Sequence, residues 1–179
     1  MTKLEQHLSQ YAAYHLDRKN IYTHFIGIPI IVFSIICLLA ALSFHVAGWQ
    51  MTLAGVVLVF TTLYYLSLDK VFGALMGLIF IAAYPLAIHI AAFDTTTWLS
   101  WSIGLFVVGW IFQFIGHIFE KKKPAFVDDL MGLVIGPLFV LAEFVFLLGF
   151  RKDLAQRINQ EGQRQRHAMD QPSVITRTP

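Results

Sequence analysis

Histidines stand at the edges of two apolar segments of the chain. His15 and His24 lie at the start of the first long apolar run, and His117 lies at the end of the fourth. Neutral imidazole binds zinc, copper, iron and nickel, and histidine with carboxylate at open coordination positions is typical of non-haem Fe(II) oxygenases. A single histidine near a helix end more often anchors or packs the helix. The prediction of a metal site therefore depends on elements that bring the three side chains together.

Polar and small residues accompany these histidines at helical spacing. The fourth run carries one such stripe: Gly109, Gln113, His117 and Glu120. The first run carries a shorter one: Asn20, His24 and Gly27. Polar side chains inside membrane segments are costly, so they indicate a functional site with a partner nearby. The alternative is that both stripes are packing seams, in which small residues let helices approach and polar groups join them.

Five polar or acidic residues near the histidines are candidates for catalysis: Asn20, Gln113, Glu120, Asp128 and Glu143. A di-iron carboxylate site fits less well, because it needs paired Glu-x-x-His motifs and the sequence has one reversed spacing, from His117 to Glu120. A haem held by two histidines from different helices, as in an electron carrier, is an alternative. Serine-type hydrolysis has no support, since no Gly-x-Ser-x-Gly motif occurs.

The elements that must position these residues are membrane helices. Hydrophobic residues make up 57% of the chain and charged residues 13%, which indicates an integral membrane protein. Five apolar runs, at about residues 25–44, 51–68, 71–93, 98–119 and 130–150, each approach the ~20 residues that a spanning helix needs. Because they do not alternate as barrel strands do, we predict an all-α, polytopic membrane helix bundle. Residues 1–150 form its single domain, and residues 151–179 are a polar cytoplasmic tail.

Topology follows from the basic residues. All 13 Lys and Arg residues lie before the first run, at Lys70, after the fourth run or after the fifth. The positive-inside rule therefore places the N-terminus, the turn at Lys70, the triple-lysine loop and the histidines on the cytoplasmic side. The membrane is a bacterial inner membrane, or that of the endoplasmic reticulum if the source is eukaryotic.

The fifth run conflicts with this topology, because a plain span would place the basic residues of the tail outside. We therefore predict four spans and a broken, re-entrant fifth segment interrupted at Gly136 and Pro137. A plain fifth span is the alternative. We expect the tail to become disordered after a short helical extension.

The N-terminal segment, residues 1–19, is predicted to be an amphipathic surface helix, with Leu4, Leu8, Tyr11 and His15 at helical spacing. On one continuous helix His15 and His24 would be roughly 13 Å apart on opposite faces. They can share a metal only if "LDRKN" breaks the helix, with Asp17 or Asn20 capping the next one.

Two blocks of the sequence carry a family resemblance. "YHLDRKNIYTHFIGIP" and "GWIFQFIGHIFEKKKPAFVDDLMGLVIGPLFVLAEF" resemble the Fe(II)-dependent membrane 2-hydroxy fatty acid dioxygenases, described for the fungal degradation of phytosphingosine. The resemblance implies an iron site at His15, His24 and His117, with a 2-hydroxy fatty acid and O2 as substrates and a fatty acid one carbon shorter as product. It implies membrane lipid around the chain and no nucleic-acid partner. A non-enzymatic lipid-binding or scaffold protein is the remaining alternative.

Overall fold

Helices dominate the part of the chain that the structure, a computed structural model, describes: residues 1–127 and 130–171, without the side chain of Phe126. In these ranges it has seven α-helices, one hairpin and one 3-10 turn at Ala125–Val127. The helices are α1 Lys3–Ala12, α2 Arg18–Ala40, α3 Leu53–Leu68, α4 Lys70–Ala91, α5 Thr95–Glu120, α6 Met131–Leu147 and α7 Lys152–Asp170. The hairpin consists of β1 Ser43–Val46 and β2 Trp49–Thr52.

Three of the described helices, α2, α4 and α5, are long and apolar enough to cross a membrane. The helices α3 and α6 are apolar but shorter, with 16 and 17 residues. The structure therefore confirms a mostly helical, membrane-type chain and three candidate spans, not the predicted four spans and a fifth segment. The helix α3 is shorter than the second apolar run because the first residues of that run belong to β2. The helix begins only after Thr52, whose hydroxyl accepts a hydrogen bond from the backbone N–H of Gly55.

The β-hairpin departs from the all-α prediction. Its strands pair antiparallel, from Ser43 opposite Thr52 to Val46 opposite Trp49. The two turn residues, Ala47 and Gly48, both have positive φ, at 49° and 85°. This geometry matches the right-handed twist of the strands and is typical of two-residue hairpin turns.

The break between α1 and α2 occurs where the sequence predicts it. The first helix ends at Ala12, and Asp17 caps α2 by accepting a hydrogen bond from the backbone N–H of Lys19. Asn20 lies inside α2 and does not cap it. The prediction of a break at "LDRKN" with an Asp17 cap is confirmed, and the segment between the helices is free to turn back towards α2.

The helices α2 and α5 pack closely because glycines line their contact. A Cβ atom on Gly109 would lie 2.9 Å from the carbonyl oxygen of Gly27, and one on Gly116 would lie 2.3 Å from Oδ1 of Asn20. Side chains at these positions would force the helices apart. The polar stripes of the two helices therefore face each other.

The helix α6 runs without interruption through Gly136 and Pro137, so the predicted hairpin break is wrong. Proline removes one main-chain hydrogen bond and bends a helix, but packed neighbours can hold the helix together, as around Pro29 in α2 and Pro85 in α4.

Both ends of α6 lie at the end of the bundle where α3 turns into α4. Near its start, the carbonyl of Val134 accepts a hydrogen bond from the hydroxyl of Tyr65. Just after its end, Arg151 pairs with Asp69, the residue between α3 and α4, at 2.7 Å. The chain thus returns to the end of the bundle from which α6 started.

The helix α7 packs against α1 and is longer than the expected short extension. Its buried residues recur at four-residue spacing: Leu154, Ile158 and Gly162. A Cβ atom on Gly162 would lie 3.0 Å from Cβ of Ala12, and Arg157 pairs with Glu5 of α1 at 2.8 Å. The predicted disorder falls on residues 172–179, which lie outside the described ranges.

Candidate metal centre

Three buried imidazoles meet at the end of the bundle where α1 joins α2. His15 follows α1, His24 lies in the second turn of α2, and His117 lies in the last turn of α5. The ring centroids of His15 and His24 are 4.5 Å apart, and each lies 5.1 Å from that of His117. One nitrogen from each ring lies within 4.8 Å of the others. Among the described residues, no carboxylate or thiol joins this group.

Two backbone carbonyls fix the protonation of His15 and His24. Nδ1 of His15 donates to the carbonyl of Tyr11 at 2.7 Å, and Nδ1 of His24 donates to that of Asn20 at 2.9 Å. Each carbonyl lies four residues earlier, so the local helix supplies the acceptor. In a neutral imidazole the other nitrogen then carries a lone pair. Metal-bound histidines almost always have their second nitrogen held in this way.

The remaining nitrogens of His15 and His24 face each other, with Nε2 atoms 3.0 Å apart. Two lone pairs at this distance repel unless a proton or a cation lies between them. In His117 the buried Nδ1 finds no hydrogen-bond partner in the described part of the chain. A cation among the three rings would engage the facing Nε2 atoms of His15 and His24 and one nitrogen of His117, so the donor set fits a metal.

His15 is held neutral. Burial, and then the neighbouring His24, lower its pKa well below the ordinary value. The ring of Tyr11 stacks on it with centroids 4.1 Å apart. Neutral imidazole is the form that binds metals.

Glu120 holds the α1–α2 junction against the end of α5. Its Oε2 accepts hydrogen bonds from the backbone N–H of Asp17 at 2.8 Å and from Nδ2 of Asn20 at 3.1 Å. Its Oε1 accepts one from Arg166 of α7 at 2.9 Å. Both carboxylate oxygens of Glu120 are thus hydrogen-bonded within the protein. Asn20 bonds Glu120 through its side-chain NH2 group and His24 through its backbone carbonyl.

A cavity of about 250 Å³ opens beside the histidines, between α2, α5 and α6. His24, His117 and Gln113 contribute to its polar part. Its apolar walls continue along α2 to Ile35 and along α5 to Phe106, about 16 Å from the histidines at 1.5 Å per residue. The shape suits an amphipathic molecule with its polar end at the histidines.

Gln113 is the polar group of this cavity that the helices leave unsatisfied. Its side chain is 5% exposed, and its Nε2 has no hydrogen-bond partner among the described residues. This nitrogen lies against Gly27, where a Cβ atom would approach it to 2.3 Å. A buried donor without an acceptor costs about 1–3 kcal/mol, so a ligand acceptor in the cavity would remove that cost.

Of the other predicted site residues, one is not brought to the histidines and one is not described. Glu143 lies on α6 seven residues beyond Gly136, and it is not among the residues that line the cavity. Asp128 lies outside the described residues. The structure adds two residues that we did not predict for the site, Arg166 and the proline of the triple-lysine loop, Pro124, which lines the cavity. No local pattern distinguishes Arg166, because the partners that link it to the site, Ala13 and Glu120, are distant in sequence.

The fold and the site together define a class: a membrane-type helical protein with a buried three-histidine group beside an apolar cavity. Within that class, residues 1–148 match the family model described as 2-hydroxy-palmitic acid dioxygenase Mpo1-like, and the chain belongs to this family. It is 35% identical over 162 residues to the 2-hydroxy-palmitic acid dioxygenase MPO1 of Saccharomyces cerevisiae, with 88% of each chain covered. No solved structure matches the chain. The family resemblance seen in the two sequence blocks is confirmed.

Proposed function

We propose that the protein is a non-haem Fe(II) dioxygenase that converts 2-hydroxy fatty acids to fatty acids one carbon shorter, with His15, His24 and His117 as the iron ligands. The observation that carries the proposal is the pair of Nε2 atoms 3.0 Å apart, both with Nδ1 committed to a backbone carbonyl. The yeast relative is named for the oxygenation of 2-hydroxy-palmitic acid, which supports this substrate class.

The residues of the cavity fit such a substrate. Iron held by the histidines would supply electron exchange with O2 and a point to which the carboxylate and hydroxyl of the acid are drawn. Gln113 donates its amide N–H to the carboxylate, and the apolar walls between Ile28 and Ile35 hold the chain. The walls also exclude water from the reacting end. Asn20 and Glu120 act on the reaction by holding His24 and the segment that carries His15.

The reaction balances without an external reductant. R-CH(OH)-COOH and O2 give R-COOH, CO2 and H2O, so the four electrons that O2 takes up come from the two oxidised carbons. No nucleotide or 2-oxoglutarate is required. Substrate labelled with 13C at C1 tests this balance, since it predicts labelled CO2, and labelled formate as the first product would contradict it.

We further propose that α2, α3, α4 and α5 make four crossings and that α6 lies at the cytoplasmic end. The helix α3 runs antiparallel to α4 over its whole length, from Leu66 beside Gly73 to Thr52, which bonds Tyr84 at 2.8 Å. It therefore connects the same two ends as α4 does. The triple lysine after α5 then supports a position of the histidines at the cytoplasmic face, in a bacterial inner membrane or an endoplasmic reticulum membrane.

The haem alternative has less support from the geometry. A porphyrin would have to lie between two axial imidazoles, whereas the three rings pack edge to face with centroids 4.5–5.1 Å apart. The contacts leave no flat space between the rings of any pair.

Metal analysis of the purified protein tests the proposal. After anaerobic loading with Fe(II), we expect near-stoichiometric iron without a Soret band in the wild type, and loss of iron in His24→Ala and His117→Ala. His89→Ala is the matched control, because His89 lies near the C-terminal end of α4 and packs on Phe93. The loaded wild type should consume O2 with 2-hydroxy acids and not with the unsubstituted acids. Absence of iron, or its retention in both variants, would identify the histidines as packing residues of a non-enzymatic protein.

A further inference from the structure

Arg166 of α7 reaches into the junction that carries His15. Its Nη1 donates to the carbonyl of Ala13 at 2.8 Å and to Oε1 of Glu120 at 2.9 Å. The side chain is 16% exposed although it belongs to a mostly polar helix. It lies beyond residues 1–148, the part that matches the family model.

These contacts hold the segment around His15 from both sides. Ala13 lies two residues before His15 and bonds Arg166 directly. Asp17 lies two residues after it, and its backbone N–H bonds the same Glu120 carboxylate that Arg166 engages. One guanidinium and one carboxylate therefore fix both ends of residues 13–17. The pair thus restrains the segment that carries His15, in addition to the bond between Nδ1 of His15 and the carbonyl of Tyr11.

The charges make the arrangement sensitive to loss of the arginine. The side chain of Glu120 is 3% exposed, and Arg166 is the cation that pairs with it among the described residues. Removing one partner of a buried pair leaves an uncompensated charge, which is strongly destabilising. The carboxylate would then turn towards water and release Asp17 and Asn20.

We propose that Arg166 is a positioning residue of the metal centre: through Glu120 and the carbonyl of Ala13, α7 holds His15 where it can share a metal with His24 and His117. This inference rests on the metal site proposed above in its first test, which measures metal affinity. The planar guanidinium can bond a carboxylate and a carbonyl at once, which a lysine ammonium does less well. Loss of partners that orient metal ligands typically lowers metal affinity about 10- to 100-fold.

A competing explanation is that α7 is only attached to α1, and that any ion pair between the two helices would serve. Arg157 provides the matched control, since it pairs with Glu5 of α1 at 2.8 Å and touches neither Glu120 nor residues 13–17. If attachment alone mattered, Arg157→Gln and Arg166→Gln would have the same effect.

The first measurement is titration of the full-length, metal-free protein in detergent with Co(II), followed by its absorption bands. We expect Arg166→Gln to weaken Co(II) binding about 10-fold or more, Arg166→Lys to recover part of the loss, and Arg157→Gln to bind as the wild type does. Wild-type affinity in Arg166→Gln, or equal losses in Arg166→Gln and Arg157→Gln, would overturn the proposal.

The second measurement, amide hydrogen exchange without metal, separates this proposal from the proposed function. Arg166→Gln should speed exchange in peptides that cover residues 13–17 and leave those of α4 unchanged, which also shows that the variant is folded. Unchanged exchange at residues 13–17 would overturn the proposal. If the wild type binds neither Co(II) nor Fe(II), the proposed function fails, and the exchange data alone decide the role of Arg166.

A double variant tests whether Arg166 acts through Glu120. Groups in one hydrogen-bonded network have non-additive effects. The affinity lost in Arg166→Gln combined with Glu120→Gln should therefore be smaller than the sum of the two single losses expressed as free energies. Additive losses would show that Arg166 does not act through Glu120.

Discussion

Two antiparallel helix pairs in this protein, α2–α5 and α3–α4, use the same way of packing and differ in their polar atoms. In both pairs, glycines bring one helix close to the other. A Cβ atom on Gly109 of α5 would lie 2.9 Å from a carbonyl of α2, and one on Gly73 of α4 would lie 2.4 Å from a backbone nitrogen of α3. By packing alone, both are small-residue membrane seams.

The polar atoms of the two helix pairs distinguish a candidate binding site, at α2–α5, from a packing interface, at α3–α4. In α3–α4, Thr52 bonds Tyr84, and Thr61 and Thr62 bond carbonyls of their own helix. In α2–α5, the atoms Oδ1 of Asn20, Nε2 of Gln113 and Nδ1 of His117 are buried without a partner among the described residues. Polar groups that only join helices would be paired with each other. Two of these three atoms, in Gln113 and His117, belong to residues that line the cavity, which indicates a missing ligand there.

The largest effect should follow from forcing the α2–α5 pair apart. In Gly116→Ala the new methyl group would lie 2.2 Å from Oγ1 of Thr23 and 2.3 Å from Oδ1 of Asn20. Either α5 moves away with His117, or the side chain of Asn20 moves and loses its bond to Glu120, and both changes disturb the site. We expect loss of most bound iron and O2 consumption, with about 1–3 kcal/mol of destabilisation from overpacking. Metal analysis and thermal unfolding measure the two effects.

The control for this change is the equivalent substitution in the other pair. In Gly77→Ala the methyl group would lie 2.9 Å from Cγ2 of Thr62, the end of a side chain, and no site residue is nearby. This variant should lose stability but keep its iron. Equal loss of iron in both variants would show that the α2–α5 contact has no special relation to the site.

A smaller effect should follow from removing the unsatisfied amide. Gln113→Leu should keep its iron and lose about 10- to 100-fold in kcat/KM, the equivalent of 1.5–3 kcal/mol for a hydrogen bond to a charged group. Most of the loss should be in KM, because the donor holds the substrate carboxylate. Steady-state O2 consumption measures it, with Thr62→Val as the control on α3. Unchanged kinetics in Gln113→Leu would remove this amide from substrate binding.

The smallest effect concerns the turn of the α3–α4 pair. Burial opposes the ionisation of Asp69, but hydrogen bonds from Arg151 and from the backbone N–H groups of Phe72 and Val71 outweigh it and lower its pKa. A lowered pKa in the folded state adds stability above the unfolded value of about 3.9, and this stability is lost as the pH falls through the folded pKa. We expect less than about 1 kcal/mol, since the pair is partly exposed.

Unfolding at a series of pH values measures this contribution. Asp69→Asn should be less stable than the wild type at neutral pH, and the difference should shrink as the pH falls below about 4. A difference that does not change with pH would show that the Asp69 carboxylate contributes through packing and not through its charge. Iron content should stay the same at neutral pH, because the turn lies away from the histidines.

The sequence allowed the grouping of the three histidines to be predicted better than the path of the chain. The histidines could be grouped because each stands at a helix end and the sign of the nearby charges places those ends together. The break before α2 could be predicted because a shared metal requires it, and Asp17 is a good N-cap. These inferences depend on local spacing and on one topological rule.

The missed features depend on contacts between distant residues. Hydropathy treats residues 130–150 alike whether they cross the bundle or lie at its end. Our proposal that they lie at its end depends on two contacts with distant residues, of α6 with Tyr65 and of Arg151 with Asp69. The hairpin was missed because its strands, Ser43–Val46 and Trp49–Thr52, overlap the end of the first apolar run and the start of the second. The role of α7 was missed because its buried stripe is short and its charged residues suggested a solvated tail.

The contact between Arg166 and Ala13 joins residues 153 positions apart. A nascent chain emerges from the ribosome at about 5–20 residues per second, N-terminal end first. His15 therefore emerges before Arg166, the residue that we propose supports it. On this proposal, the segment that carries His15 lacks its restraint until α7 has been synthesised, so the histidine group is completed only after α7 has formed.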